Sequence, residues 1–71
     1  MWFLVAIYMI NTPMQEIKPV QQFDTRALCE SYVEAVMPTY TKVFEGYHVT
    51  AYDNGVADNF GIACITQTQE T

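Results

Sequence analysis

His48 is the chain's single histidine, and Cys29 and Cys64 are its two cysteines. Together with Asp53 they are the side chains that could serve as base, nucleophile or metal ligand. A general base needs a partner that orients it. Asp53 and Cys64 are the candidates, but no spacing ties either one to His48. The donor types of a metal site are present, yet there is no C-x2-C or H-x3-H pair. The stretch Asp53-Asn54-Gly55-Val56-Ala57-Asp58-Asn59 resembles a calcium loop only superficially. It lacks the alternating acids and the closing glutamate, and it reads as a solvated hairpin loop. There is no glycine-rich phosphate loop and no nucleophile elbow. Ser31, the only serine, falls within a helical pattern. Glu30 and Glu34 stand at i,i+4, which marks a wet helix face rather than an acid–base pair. The expectation is a protein that is not an enzyme and uses no metal and no cofactor.

These side chains must be positioned by short elements. Residues 2–10 (WFLVAIYMI) form a continuous apolar run rich in aromatic and β-branched types, which reads as a strand buried on both faces. Asn11-Thr12-Pro13 is turn chemistry. Residues 14–20 alternate, with Gln15, Ile17 and Pro19 on one side and Glu16, Lys18 and Val20 on the other. Pro19 sends this strand to an edge or to its own end. Asp24 is a helix N-cap candidate, with Phe23 and Leu28 spaced as a hydrophobic staple. Leu28, Cys29, Tyr32, Val33, Val36 and Met37 then follow helical spacing. Pro38 disfavours helical geometry at Met37. Tyr40, Val43 and Phe44 continue the apolar spacing, which predicts a kinked or two-part helix ending at Gly46. Tyr47–Tyr52 alternates as a strand, with Tyr47, Val49 and Ala51 on one face and His48, Thr50 and Tyr52 on the other. Asp53-Asn54-Gly55 is a strong turn signal, and Phe60–Thr66 reads as a last strand with Gly61 as a bulge candidate. The predicted fold is α+β in the order β-β-α-β-β: an antiparallel sheet of three or four strands with the helix on one face. Residues 1–66 make a single domain, and 67–71 a flexible tail.

The chain has 71 residues, 51% of them hydrophobic and only 15% charged. About 25% charged is ordinary for a soluble domain. Disorder is excluded, because it needs low hydrophobicity and high charge. Three bases against eight acids leave a net charge of -5, so direct binding to nucleic acid phosphates is not expected. The apolar N-terminal run is far short of the about 20 residues a membrane span needs. It has no basic residue before Lys18 and no small-residue cleavage site, so neither a membrane segment nor a secretion signal is read from it. Two cysteines are too few for a disulfide scaffold. The default is a reduced, cytoplasmic chain with two small buried hydrophobes, and a Cys29–Cys64 bridge is the alternative. A single helix cannot cover both faces of so apolar a sheet. A second copy of the chain is the simplest cover, so a homodimer is expected, with Trp2, Phe3 and Tyr8 in the self-association surface.

The order of an apolar strand, a turn, a short strand, Phe23-Asp24-Thr25-x3-Cys29 on a helix and a last strand bearing Cys64 resembles small accessory proteins encoded by bacteriophages. That resemblance implies a non-enzymatic host-takeover inhibitor acting in the cytoplasm of an infected bacterium. The leading expectation is a small acidic protein-binding module. Its charge would steer it toward a basic, nucleic-acid-binding host protein, and nucleic-acid mimicry by spaced carboxylates is a sharper version. Its contacts would come from Tyr47, His48, Tyr52, Asp53 and Asp58, with Glu30 and Glu34 as the electrostatic face. The alternative expectation is a structural or assembly subunit that docks through its apolar sheet.

Overall fold

A computed structural model describes residues 1–10, 12–55 and 60–66. Asp58 and the residues of the expected tail lie outside the described residues. The elements are β1 (Trp2–Tyr8), β2 (Glu16–Phe23), α1 (Arg26–Val36), β3 (Thr41–Gly46), β4 (Val49–Asp53) and β5 (Phe60–Thr66). The five strands form one sheet of order β2-β1-β5-β4-β3, with every neighbouring pair antiparallel. This corrects the expected three- or four-stranded β-β-α-β-β arrangement. The fold is mostly β, with one short helix.

The difference lies in residues 38–46, which are not a second helical segment. The Met37 N–H donates to Val33 O at 2.8 Å and caps α1. Pro38 follows and bars a further turn. The chain then carries Thr39, Thr41 and Val43, β-branched residues that favour extended backbone. The register between β3 and β4 shifts between Lys42 and Phe44, leaving Val43 as an extra residue. That bulge puts Val43 and Phe44 out of simple alternation and produces the helix-like spacing in the sequence.

At the start of α1 the cap is Thr25, not Asp24: the Leu28 N–H donates to Thr25 Oγ1 at 3.2 Å. Phe23 ends β2 and packs on Tyr32, with ring centroids 5.3 Å apart, while Leu28 is exposed. The first strand stops at Tyr8, and Met9 turns the chain with a φ of 55°. Thr12 fastens the turn by donating from Oγ1 to Met9 O and accepting from the Met14 N–H. Asp53 Oδ1 accepts from the Gly55 N–H, and Gly55 takes a φ of 72°, so the expected turn is present. Gly61 is not a bulge, since β5 runs in register with Ile7 opposite Gly61. A Cβ there would press on Ile10 and on Tyr52 O at 3.3 Å.

The core lies between α1 and the sheet. Leu4, Cys64, Ile62 and Tyr52 meet Cys29 and Val33, with Trp2, Phe23, Tyr32 and Phe60 around them. Cys29 is bonded to Cys64, which corrects the reduced reading. Both residues are fully buried, and the bond joins α1 to β5, the middle strand of the sheet. The Tyr52 hydroxyl is buried and has no hydrogen-bond partner among the described residues.

Two stability predictions follow from this core. Closing a loop of sequence separation 35 removes unfolded-state entropy, so replacing both cysteines by alanine should cost about 3–4 kcal/mol in urea unfolding. An unchanged unfolding free energy would refute that role. Tyr52→Phe removes an unpartnered hydroxyl and should leave stability within about 1 kcal/mol or raise it. Tyr52→Ala should lose about 3–5 kcal/mol in the same assay.

Candidate functional site

Because side chains alternate along a strand, the register sorts the sheet into two faces. The helix-side face carries Leu4, Ile62, Cys64, Thr50 and Tyr52, which stand opposite one another across β1, β5 and β4. The other face carries Phe3, Val5 and Ile7 from β1, paired with Gln22, Pro19 and Ile17 of β2. It continues through Ala63 and Ile65 of β5 to Val49 and Ala51 of β4, and ends at Phe44 of β3. Among the described residues, Asp53 at one corner is the only ionisable side chain on this face. The helix covers none of it, since α1 packs against β1, β2 and β5 from the opposite side.

This open face is shaped, not flat. Val5 and Ala63 are only 3% and 2% exposed, because larger neighbours surround them. Ile17 and Phe44, on the two edge strands, stand 54% and 57% exposed. The Phe44 ring lies over Gly46, whose missing Cβ leaves it room. A hollow of about 280 Å³ opens between Phe3, Val5, Ile17, Pro19 and Ile65. A second, of about 360 Å³, opens at the Ile10 end beside Ile7, Val43 and Ala51. What this face offers is apolar area, which water leaves at a gain of about 25 cal/mol per Å².

The helix side holds most of the charge of the described residues, much of it paired. Arg26 donates from Nε to Glu30 Oε2 at 2.7 Å and forms a second ion pair with Glu45. Lys42 Nζ lies 3.9 Å from Glu45 Oε1, and the Thr50 hydroxyl donates to Glu30 at 3.3 Å. The Arg26 guanidinium sits 5.9 Å from the Trp2 ring centroid. The cluster ties α1 to β3 and β4, beyond the reach of the apolar core. The Arg26 hydrogen bond holds the Glu30 carboxyl below its ordinary pKa of 4.5. Burial opposes this, while the charges of Lys42 and Arg26 and the Thr50 hydrogen bond reinforce it. Burial, with Glu30 and Glu34 nearby, raises the Tyr52 phenol above its ordinary 10.0.

The residues singled out from the sequence are dispersed. Tyr47 is 88% exposed at the β3–β4 turn, its ring 3.7 Å from that of His48, which adopts a φ of 66°. Asp53 is at the opposite end of β4, holding its turn. Glu30 is engaged with Arg26, and Glu34 is exposed on the next helical turn. Tyr52 is buried in the core, which corrects its assignment as a surface contact. Trp2, Phe3 and Tyr8 do not share one surface. Trp2 and Tyr8 are on the helix side, Tyr8 packed on Phe60, and only Phe3 belongs to the open face. The sequence reading missed Phe44, Ile65, Ala51 and Ala63 as members of a common surface. The signal for three of them was the alternation in β4 and β5; for Phe44 it was hidden by the bulge. Among the described residues no three His, Cys, Asp or Glu side chains come together as a metal site. Both cysteines are consumed in the bond.

No protein-family model, no curated protein and no solved structure matches the chain. No helix among the described residues is long and apolar enough to cross a membrane.

The Glu30 geometry sets the sign of a pH effect. A carboxyl with a lowered folded pKa adds stability that is present above pH 4.5 and is lost as pH falls through the folded value. Wild type should therefore exceed Glu30→Gln in urea-unfolding midpoint at pH 7, and the gap should close in acid. A gap of constant size down to pH 2.5, about two pH units below the ordinary value, would contradict the assignment.

Proposed function

We propose that this chain is a small non-enzymatic binding module whose working surface is the helix-free face of its sheet. The observation that carries this is the apolar face running from Ile17 to Phe44, with Asp53 at its corner as the single ionisable side chain among the described residues. Its margins at Ile17 and Phe44 are exposed around a buried middle, and exposed apolar side chains grouped on one face mark an interaction site. The reading favours docking through the sheet over docking by charge. The chain's three bases lie against Glu16, Glu30 and Glu45. Among the described residues Asp24, Glu34 and Asp53 remain, one before α1, one on it and one at the end of β4. That scatter argues against a regular row of carboxylates copying phosphates. The net charge of -5 still favours approach to a basic partner at long range. A non-catalytic docking protein is also what the resemblance to small phage accessory proteins implies. The Cys29–Cys64 bond favours surroundings that keep disulfides oxidised over the cytoplasm expected from the cysteine count.

The test is a neutral solvatochromic dye such as Nile red, added to dilute, oxidised, folded protein. Its emission should rise severalfold on wild type and fall on Phe44→Asp and on Ile17→Asp, while Tyr47→Ala leaves it unchanged. Emission that ignores the two face substitutions would end this reading.

A further inference from the structure

We infer that Asn54–Gly55 is a self-modification site, where attack by the Gly55 backbone nitrogen turns the Asn54 amide into a carboxylate, and that Asp53 is its lock. The inference does not depend on the reading of the open face.

The sequence supplies the reactants. An asparagine holds its side-chain amide carbon one ring closure away from the backbone nitrogen of the next residue, so the attack is intramolecular. A side chain on that next residue obstructs the approach. The chain has asparagines at 11, 54 and 59. Thr12 follows the first and Phe60 follows the last; Asn54 alone is followed by glycine.

The structure leaves this pair accessible. β4 ends at Asp53, which is paired with Thr41, and Asn54 and Gly55 lie beyond the strand. The Gly55 nitrogen is therefore not committed to a neighbouring strand. Gly55 is exposed and Asn54 is half-buried. Apart from its chain neighbours, no described atom lies within 4 Å of where a Gly55 Cβ would stand. Gly55 also has a φ of 72°, a conformation that favours glycine. The turn thus requires the residue that leaves the attack unobstructed.

The same turn restrains the reaction. The Gly55 N–H donates to Asp53 Oδ1 at 3.1 Å, the hydrogen bond of an Asx turn. The nitrogen becomes a nucleophile only as it gives up that proton. The carboxylate keeps the proton in place, and its charge opposes negative charge on the nitrogen. Asp53 therefore slows a ring closure that the turn otherwise exposes.

The step balances without an oxidant or a reductant. A bond forms between the Gly55 nitrogen and Asn54 Cγ. The bond from Cγ to Nδ2 breaks, and ammonia leaves with the proton that the nitrogen lost. Water then opens the cyclic imide. Opening at Cγ gives aspartate at position 54; opening at the backbone carbonyl carbon gives isoaspartate, with the main chain rerouted through the former side chain. Either product adds one negative charge to the chain's -5. The charge arises between Asp53 and Gly55, which both line the hollow beside Ile7 and Ala51. The corner that already carries an acid becomes more acidic as the molecule ages.

The test is incubation of the folded, oxidised chain for weeks in neutral buffer at body temperature, followed by peptide mapping with mass spectrometry. Position 54 should show the mass gain of amide-to-acid exchange, as a mixture of aspartate and isoaspartate, ahead of positions 11 and 59. Asp53→Ala, at an exposed corner, should convert severalfold faster, and Asn54→Gln should give no product there. No conversion at position 54 in wild type would overturn the proposal. Aspartate without isoaspartate would overturn the ring route, and an Asp53→Ala variant no faster than wild type would overturn the lock. Should a variant not fold, the isoaspartate at position 54 of wild type, and its lead over positions 11 and 59, decide the site alone.

Discussion

The bond between Cys29 and Cys64 is what the rest of the structure leans on. α1 has 11 residues and buries only Cys29 and Val33. A helix that short is marginal in water without tertiary support, and two buried side chains are little support. Making one of them a covalent link to the middle strand solves the problem at the point of greatest leverage. The link lies between Leu4 and Thr50, its cross-strand neighbours through Cys64, so helix, central strands and core share one fixed centre.

A helix fastened there covers a limited region. It lies over β1, β2 and β5, and its reach toward β3 is polar, through Arg26 to Glu45. The polar extension serves twice: it closes the far side of the core, and it neutralises Glu30 and Glu45 on that side. Desolvation of Glu30 is offset by two donors, Arg26 and Thr50, and by the charges of Lys42 and Arg26. The opposite face has no such cover. Its apolar character is therefore a property of the folded chain in isolation, and its middle strands are already nearly closed off by the larger side chains beside them.

The functional reading follows from that asymmetry. The cysteines are bonded, the lone histidine is at a turn, and the acids of the described residues are paired or dispersed. The described residues do offer a shaped, mostly apolar surface, with Asp53 at one corner, next to blunted edges. In the proposed docking role, charge would act at a distance and through orientation, and apolar area would supply the affinity.

The strands β1, β4 and β5, the turn at Asp53–Gly55 and the middle of α1 were legible in the sequence, because each is written in a local period or a local turn signal. The two-sided hydrophobicity of β1 also showed that one helix could not cover the sheet. Three things were not legible. Residues 41–46 became a strand because β4 offered a partner, and the bulge at Val43 erased the alternation that would have announced it. Tyr52 and Tyr47 look alike in sequence, yet one lies in the core and the other at a turn, because burial depends on what α1 covers. The pairing of Cys29 with Cys64 joins residues 35 apart, and no local pattern carries that distance. Sequence alone determined which segments are apolar and how they alternate, since those are properties of neighbours along the chain. Only the tertiary structure decided which face is covered and which is left open, since that depends on where one covalent bond sets the helix down.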